Sequence, residues 1–242
     1  MVLKNNKPYH FLVIGNGRWA LHLKRYLQIL QLPYDEWTRS SSFEELTAQL
    51  EKSTHALLCI SDSAIAEFTQ QNLKNFSGLV VHFSGALEFK EILGLHPLMT
   101  FGPELYTENI YRSIPFVTTS IRTLDEILPG FSNPLFQLHA DQKAYYHALC
   151  VIGGNLTGLL VQKMLAGFVE LGLPKEVGSL YLQQVLKNVL SNPAKALTGP
   201  LARKDIITIK KNLQSLSGDP FVDVYKSFIP IAFPEMPKET AL

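Results

Sequence analysis

The chain has 242 residues, 46% of them hydrophobic, with Lys+Arg 22 against Asp+Glu 21. That length makes one large domain or two modest ones, with ample material for a buried core. A formal net charge of +1, without local runs of Lys or Arg, excludes the electrostatic footprint of a nucleic-acid binder.

Taken in order, His10–Ile14 reads as a strand, Gly15-Asn16-Gly17 as a turn, and Arg18–Leu30 as a helix. The helix carries Trp19, Leu23, Leu27 and Leu30 at helical spacing. Tyr34–Thr38 is a second short strand. Ser42 with Glu45 forms a capping-box pattern ahead of a helix from Phe43 to Lys52. Ala56–Ile60 is a third strand whose unbroken apolar character suits a sheet covered on both faces. Asp62 is expected to cap a helix over Ser63–Asn72, and Gly78–Phe83 is a fourth strand. Strand and helix alternating in this way predict a doubly wound parallel sheet.

After Gly94 the texture changes. Leu95–Phe101 reads as loop, Pro115–Thr119 as strand, Ile121–Leu128 as helix and Leu135–Leu138 as strand. Asp141–Leu171 lacks proline and reads as one helix of about 45 Å, at 1.5 Å rise per residue. Further helices are expected over Lys175–Leu190, Asp205–Leu216 and Phe221–Phe228, punctuated by Pro193, Pro200, Pro220 and Pro230. The domain boundary is placed at 138/139, and Pro234–Leu242 reads as a disordered tail.

Apolar stretches such as Phe11–Ile14 and Leu79–Val81 fall short of the ~20 residues that span a bilayer, so no membrane partner is expected. Residues 1–8 are mainly polar with two lysines, and no run as long as the apolar core of a leader follows, which predicts no secretory leader. Cys59 and Cys150 sit far apart in apolar segments. They suit a reducing, cytoplasmic setting and supply neither a disulfide framework nor a metal site.

The strongest local signal is Gly15-Asn16-Gly17-Arg18-Trp19-Ala20, a G-x-G-x-x-A between an expected strand and an expected helix. Gly15 permits the tight turn and Gly17 lets backbone approach a pyrophosphate. Ala20 keeps the helix close to the sheet, and the helix N-terminus offers N–H donors to the anion. An acidic residue ending the second strand would hold a ribose 2′-OH. Here Asp35 and Glu36 come early, and Arg39-Ser40 follows, which favours the 2′-phosphate of NADP(H). Ser61, after the third strand, and Ser84-Gly85, after the fourth, stand at carboxyl strand ends, where ligands bind in open α/β sheets.

Candidates for chemistry follow. His96 stands in an expected loop, where it is either a local hydrogen-bonding residue or a catalyst. His147 and Asn155 lie about 80° apart and roughly 12 Å along one expected helix, so one face can carry both. Gly153-Gly154 costs that helix roughly 2 kcal/mol of intrinsic propensity. Lys163 points away from His147 on the same ideal wheel. Thr198 and Arg203 occupy a turn-rich loop, where Arg203 suits a carboxylate and Asp205 suits a helix cap.

Together these segments resemble a group within the 6-phosphogluconate-dehydrogenase-like superfamily, with a Rossmann-like domain followed by a helical one. The resemblance rests on Gly15–Ala20, H-x-S-G at His82–Gly85 and H-P-L-x-T-F at His96–Phe101. It continues through Tyr146-His147 … Gly154-Asn155 and L-T-G-P-x-A-R-x-D at Leu197–Asp205. Lys204 stands where that group usually has glycine, and Asn212 where it usually has histidine. The resemblance implies an α/β Rossmann-like NADP-binding domain over 1–138 and an all-α substrate and dimerisation domain over 139–242. It also implies a homodimer. Some members of the group are similar to an alternative ketopantoate reductase, which implies NADPH-dependent reduction of a small 2-oxo acid. On that expectation His147 donates the proton, with His96 the alternative acid and Lys163 a further one. Asn155 orients the carbonyl, and Arg203 or Thr198 holds the carboxylate. Two alternatives stand beside it: an imine reductase of the pyrroline-5-carboxylate type, and an NADP-binding redox sensor without turnover.

Overall fold

A wholly apolar strand is stable only where helices cover both faces of its sheet. Phe11–Ile14 (β1) and His55–Leu58 (β3) are buried end to end and pair in parallel at the heart of the sheet. This is a computed structural model, in which residues 9–234 are described. The expectations for the first eight residues and for the tail beyond Pro234 lie outside the described residues.

Tyr34–Trp37 (β2) flanks β1, and Leu79–His82 (β4) flanks β3. Leu93–Pro97 (β5), Phe116–Thr118 (β6) and Leu135–Gln137 (β7) complete the order β2-β1-β3-β4-β5-β6-β7. The chain leaves β1 for β2 and then crosses back to β3, so a switch point opens at the carboxyl ends of β1 and β3. Three helices cover the sheet: Arg18–Ile29 (α1), Phe43–Lys52 (α2) and Asp62–Asn72 (α3). Leu23, Tyr26 and Leu27 of α1 pack with Phe11 and Val13 on one face. Leu46 of α2 and Ile65 of α3 pack with Leu12 and Ile14 on the other. The layout is a Rossmann-like, doubly wound α/β fold followed by a helical region.

Two expectations for the sheet need correction. The segment expected as loop from Leu95 begins inside β5. Gly94 and Pro97 disguise this strand, since both are poor strand formers. Gly94 is small of necessity, because a Cβ there would crowd the Lys143 ammonium and lie 3.0 Å from His82 Nε2. The sheet is also not wholly parallel: β6 runs antiparallel to β5, and the Thr118 hydroxyl donates to the Gly94 carbonyl at 2.7 Å. Beyond β4 the helices Glu108–Ser113 (α4) and Leu124–Ile127 (α5) are short.

The helix expected over Asp141–Leu171 is not uniform. A 3-10 turn at Ala140–Gln142 leads into Lys143–Cys150 (α6), then a π-helical segment at Val151–Leu156, then Thr157–Glu170 (α7). The Gly153-Gly154 pair, poor in α-helix, sits in that π segment. The run Ala140–Glu170 is the one helix among the described residues long and apolar enough to cross a bilayer. It carries Lys143, His147, Asn155 and Lys163 along its length.

The chain divides into two compact units, Met1–Leu159 and Leu160–Leu242, rather than at 138/139. Helix α6 belongs with the sheet because Lys143 is buried against Leu87 and Glu88, and Tyr146 bonds to His96. The second unit contains most of α7, with Lys175–Ser191 (α8), Ile206–Ser215 (α9) and Phe221–Ala232 (α10). Ile209, Leu213 and Ile229 form its small core. Pro230 lies inside α10 instead of ending it. It falls in the last turn, where its missing N–H removes a single helical bond.

Candidate active site

The site begins at the turn after β1. The Gly15 N–H donates to the Trp37 carbonyl at 2.8 Å, and Gly15 takes φ +119, a conformation open to glycine. A Cβ at Gly15 would also run into the Cys59 carbonyl group, with the carbon at 2.8 Å. Gly17 is constrained differently. It is the N-cap of α1 with φ −68, has no side-chain cap, and a Cβ there would meet nothing within 4 Å. The first N–H groups of α1 therefore lack a protein side-chain partner at the cap. Asn16 and Arg18 are exposed beside it, while Ala20 is fully buried and seats α1 on the sheet. Trp19 leans on Phe83 and Phe101, ring centroids 5.1 and 4.7 Å away.

The end of β2 supplies the second wall. Trp37 is in register with Ile14, so an aromatic residue closes the strand where an acidic one would grip a ribose. Both carboxylates of β2 are engaged elsewhere: Asp35 pairs with His10 at 3.0 Å, and Glu36 pairs with Lys24. Arg39 is exposed and faces the same cleft as the glycine turn, with exposed Ser40 next to it.

The third and fourth strands close the cleft. Ser61 is the N-cap of α3, and Asp62 is its first residue, so the cap expected at Asp62 is corrected to Ser61. Asp62 instead accepts from the Ser84 hydroxyl at 2.6 Å. Ser84 Oγ in turn accepts from the backbone N–H of Ala86 and Leu87, at 3.3 and 3.0 Å. This bonding joins the ends of β3 and β4. The cleft measures about 730 Å³, and Gly15–Trp19, Arg39, Ser61, Ser84 and His96 line it.

His96 stands in β5, not in a loop, and its Nδ1 lies 2.7 Å from the Tyr146 hydroxyl of α6. The His147 ring lies 6.1 Å from the His96 ring, nearly perpendicular to it. Both imidazoles converge on Gly85: a Cβ there would overlap the His147 ring and lie 3.0 Å from His96 Nε2. Burial, reinforced by the neighbouring His147 and the Lys143 ammonium, pushes His96 down to about 4. Its imidazole is therefore neutral at physiological pH. Burial and the neighbouring Cys150 push the Tyr146 hydroxyl above its ordinary value.

Thus the glycine turn, Arg39, Ser61, Ser84 and His96 gather around one cleft, and Gly85 and His147 adjoin it through His96. Asn155 is exposed within the π-helical segment, so the α-helical wheel used to relate it to His147 does not apply. Thr198 and Arg203 belong to the second unit, both exposed, with Arg203 donating to the Thr198 carbonyl. Asp205 caps α9 as expected, accepting from the Thr208 N–H at 3.1 Å. Lys204 adopts φ +58, the left-handed conformation that favours the glycine usual in the resembling group. Sequence reasoning missed the roles of Asp62, Lys143 and Tyr146, since their partners lie far away in the chain. The buried Lys143 ammonium pairs with Glu88 at 2.9 Å beside His82.

Residues 117–229 match the family described as "Domain of unknown function (DUF2520)". No curated protein matches the chain. Among solved structures, the chain is similar to "putative NADP oxidoreductase BF3122 from Bacteroides fragilis" (TM-score 0.78, 20% identity, covering 95% of this chain and 99% of that one). It is also similar to protein TM1727 from Thermotoga maritima (TM-score 0.65, 18% identity, 96% and 98% covered). A 1-pyrroline-5-carboxylate reductase from Streptococcus pyogenes shares the fold as well (TM-score 0.55, 14% identity, 98% and 100% covered).

Proposed function

We propose that this chain, a Rossmann-like plus helical protein of the 6-phosphogluconate-dehydrogenase-like superfamily with a DUF2520 domain over 117–229, is an NADPH-dependent oxidoreductase acting on a small 2-oxo acid. The observation that carries this reading is the cleft over the switch point, where a glycine turn, an uncapped helix start and Arg39 share one wall system with Ser84 and His96.

The residues fit the cofactor. Open space at Gly17 admits a pyrophosphate close to the backbone, and the first N–H groups of α1 suit its charge. Arg39 and Ser40 are suited to a 2′-phosphate, and the β2 carboxylates that would repel it are paired with His10 and Lys24. When bound, NADPH supplies the reducing equivalent.

The chain's own residues bind the carbonyl compound, polarise it and supply a proton. His96, neutral, donates a hydrogen bond to the carbonyl oxygen, and His147 gives its proton to that oxygen as it becomes an alkoxide, which yields the alcohol. Asn155 is proposed to orient the carbonyl. Thr198 and Arg203 are proposed, on the sequence motif alone, to recognise the carboxylate. Ketopantoate is the proposed substrate because L-T-G-P-x-A-R-x-D resembles the ketopantoate-reducing group. An imine substrate is the second reading, favoured by the fold shared with the pyrroline-5-carboxylate reductase.

The test is loss of NADPH absorbance with a panel of ketopantoate, pyruvate, 2-oxoisovalerate and pyrroline-5-carboxylate. Ketopantoate should be turned over fastest. Turnover of pyrroline-5-carboxylate alone replaces the substrate with an imine, and tight NADPH binding without any turnover favours the sensor. A homodimer is also proposed: Leu149, Ile152, Leu156 and Leu159 are exposed along one helical run and suit a second copy. Sedimentation at micromolar concentration should give twice the chain mass.

A further inference from the structure

Tyr146 has no role in the reading above, yet it makes the closest polar contact to the imidazole in the cleft wall. Its hydroxyl lies 2.7 Å from His96 Nδ1, and the two rings meet edge to face at 5.6 Å. A neutral imidazole has one nitrogen that donates and one that accepts, and the partner of one nitrogen sets the role of the other. We infer that Tyr146 is a positioning residue that holds His96 as the tautomer with its proton on Nε2, so that the neutral ring presents a donor to the oxygen of a bound carbonyl compound.

The direction of the hydrogen bond follows from acidity. A phenol is a far stronger acid than a neutral imidazole N–H, and an imidazole nitrogen is a better acceptor than a phenol oxygen. The Tyr146 O–H therefore donates to Nδ1, which leaves the proton on Nε2. Nothing removes the phenol proton, since burial and Cys150 raise its pKa. Charging His96 is opposed as well, chiefly by its burial, with the nearby Lys143 ammonium adding to the effect and Asp62 opposing it. On the other side of the ring, Nε2 faces Gly85, where a Cβ would lie only 3.0 Å away. Gly85 itself puts no side chain against Nε2, and His96 is among the residues that line the cleft. The fold holds the pair in place from two directions: His96 is fixed in β5, and Tyr146 rides on α6, which the buried Lys143 pins to Leu87 and Glu88.

The tautomer can be read without turnover, while its consequence for rate rests on the proposed reductase activity. Protein labelled with 15N-histidine, without cofactor and at neutral pH, should show a pyrrole-type Nε2 and a pyridine-type Nδ1 for His96, its signals assigned by His96→Gln. Tyr146→Phe removes only the hydroxyl and should give a mixture of the two tautomers. With the best substrate of the panel, the same variant should lose about tenfold or more in kcat, with KM and NADPH affinity within about twofold. A proton on Nδ1 in the unmodified protein overturns the inference, as does an unchanged tautomer in Tyr146→Phe. If no substrate turns over, the reductase reading fails while the spectra still decide the tautomer.

Discussion

Gly15 and Cys59 are packed backbone to backbone: a Cβ on Gly15 would press into the Cys59 carbonyl, whereas one on Gly17 would meet nothing. The two glycines of one motif therefore answer to different constraints. Gly15→Ala should destabilise the fold by about 2 kcal/mol or more, because it combines strain at φ +119 with a clash against backbone. Gly17→Ala should leave the thermal midpoint within a few degrees while weakening NADPH binding at least tenfold. Thermal melts with fluorescence titration separate the two; equal NADPH affinity in Gly17→Ala would remove the pyrophosphate from that turn.

Cofactor choice turns on Arg39, the exposed cation in the cleft wall beyond Trp37. The unmodified protein should bind NADPH more tightly than NADH. Arg39→Ala should narrow that gap by about 1.5–3 kcal/mol, the range for a hydrogen bond to a charged group, and should leave NADH affinity nearly unchanged. Titration calorimetry with both cofactors measures it. Equal affinities before mutation would end the 2′-phosphate assignment.

Acid should unfold this protein early. Burial lowers both His55 and His82 to about 4, and Lys143 adds to the effect at His82 against the opposing Glu88 and Asp62. In the unfolded chain these histidines take up protons near their ordinary value of about 6.5, well before the folded form does. The stabilisation is thus complete above that value and is lost as pH falls toward 4. Each histidine should cost roughly 1.4 kcal/mol per pH unit inside this window. Urea midpoints should drop steeply between about pH 6.5 and about pH 4, and a flat profile would contradict the burial of both rings.

The turn after α1 offers a gain instead. Gln31 sits at φ +55, the Leu32 N–H donates to the Leu27 carbonyl at 3.0 Å, and the Gln31 N–H donates to the Gln28 carbonyl at 3.1 Å. That is a Schellman motif with a non-glycine residue in its left-handed position. Gln31→Gly should stabilise by about 0.5–1 kcal/mol, raising the melting midpoint by roughly 1–4 °C. A fall in the midpoint would mean that the Gln31 side chain contributes more than the strain removes.

Local signals were legible and distant pairings were not. The buried runs at β1 and β3, the glycine turn and the Ser42 cap each rest on residues a few positions apart, and the sequence shows them directly. Strand β5 stayed hidden because Gly94 and Pro97 answer to neighbours rather than to strand propensity: Gly94 yields space to Lys143 and His82. The π-helical segment follows from a glycine pair that reads only as a weakness in a helix. The Ser84–Asp62 bond spans 22 positions and the His96–Tyr146 bond 50, so no spacing rule reaches either. Lys143 carries no signal of its own in the sequence, because its partner Glu88 lies 55 positions away.

Gly85 is where the site leaves least room. Two imidazoles crowd the space beside it from different elements, His96 from β5 and His147 from α6. A methyl group at Gly85 would overlap the His147 ring and lie 3.0 Å from His96 Nε2 and 3.1 Å from His147 Nε2. Since Gly85 is buried, the strain has no outlet to solvent, and overpacking of this kind costs about 1–3 kcal/mol. Gly85→Ala should therefore lower stability by about that amount and cut kcat by at least tenfold, with NADPH affinity little changed. The double variant Gly85→Ala/His147→Ala tests the cause. Removing the His147 ring makes room for the methyl group, so most of the lost stability should return, a strongly non-additive result for residues in contact. Activity should not return, because His147 is the proposed proton donor. Additive losses in the double variant would show that the methyl group strains something other than His147. Recovered activity would take the proton-donor role away from His147 and leave His96 to supply it.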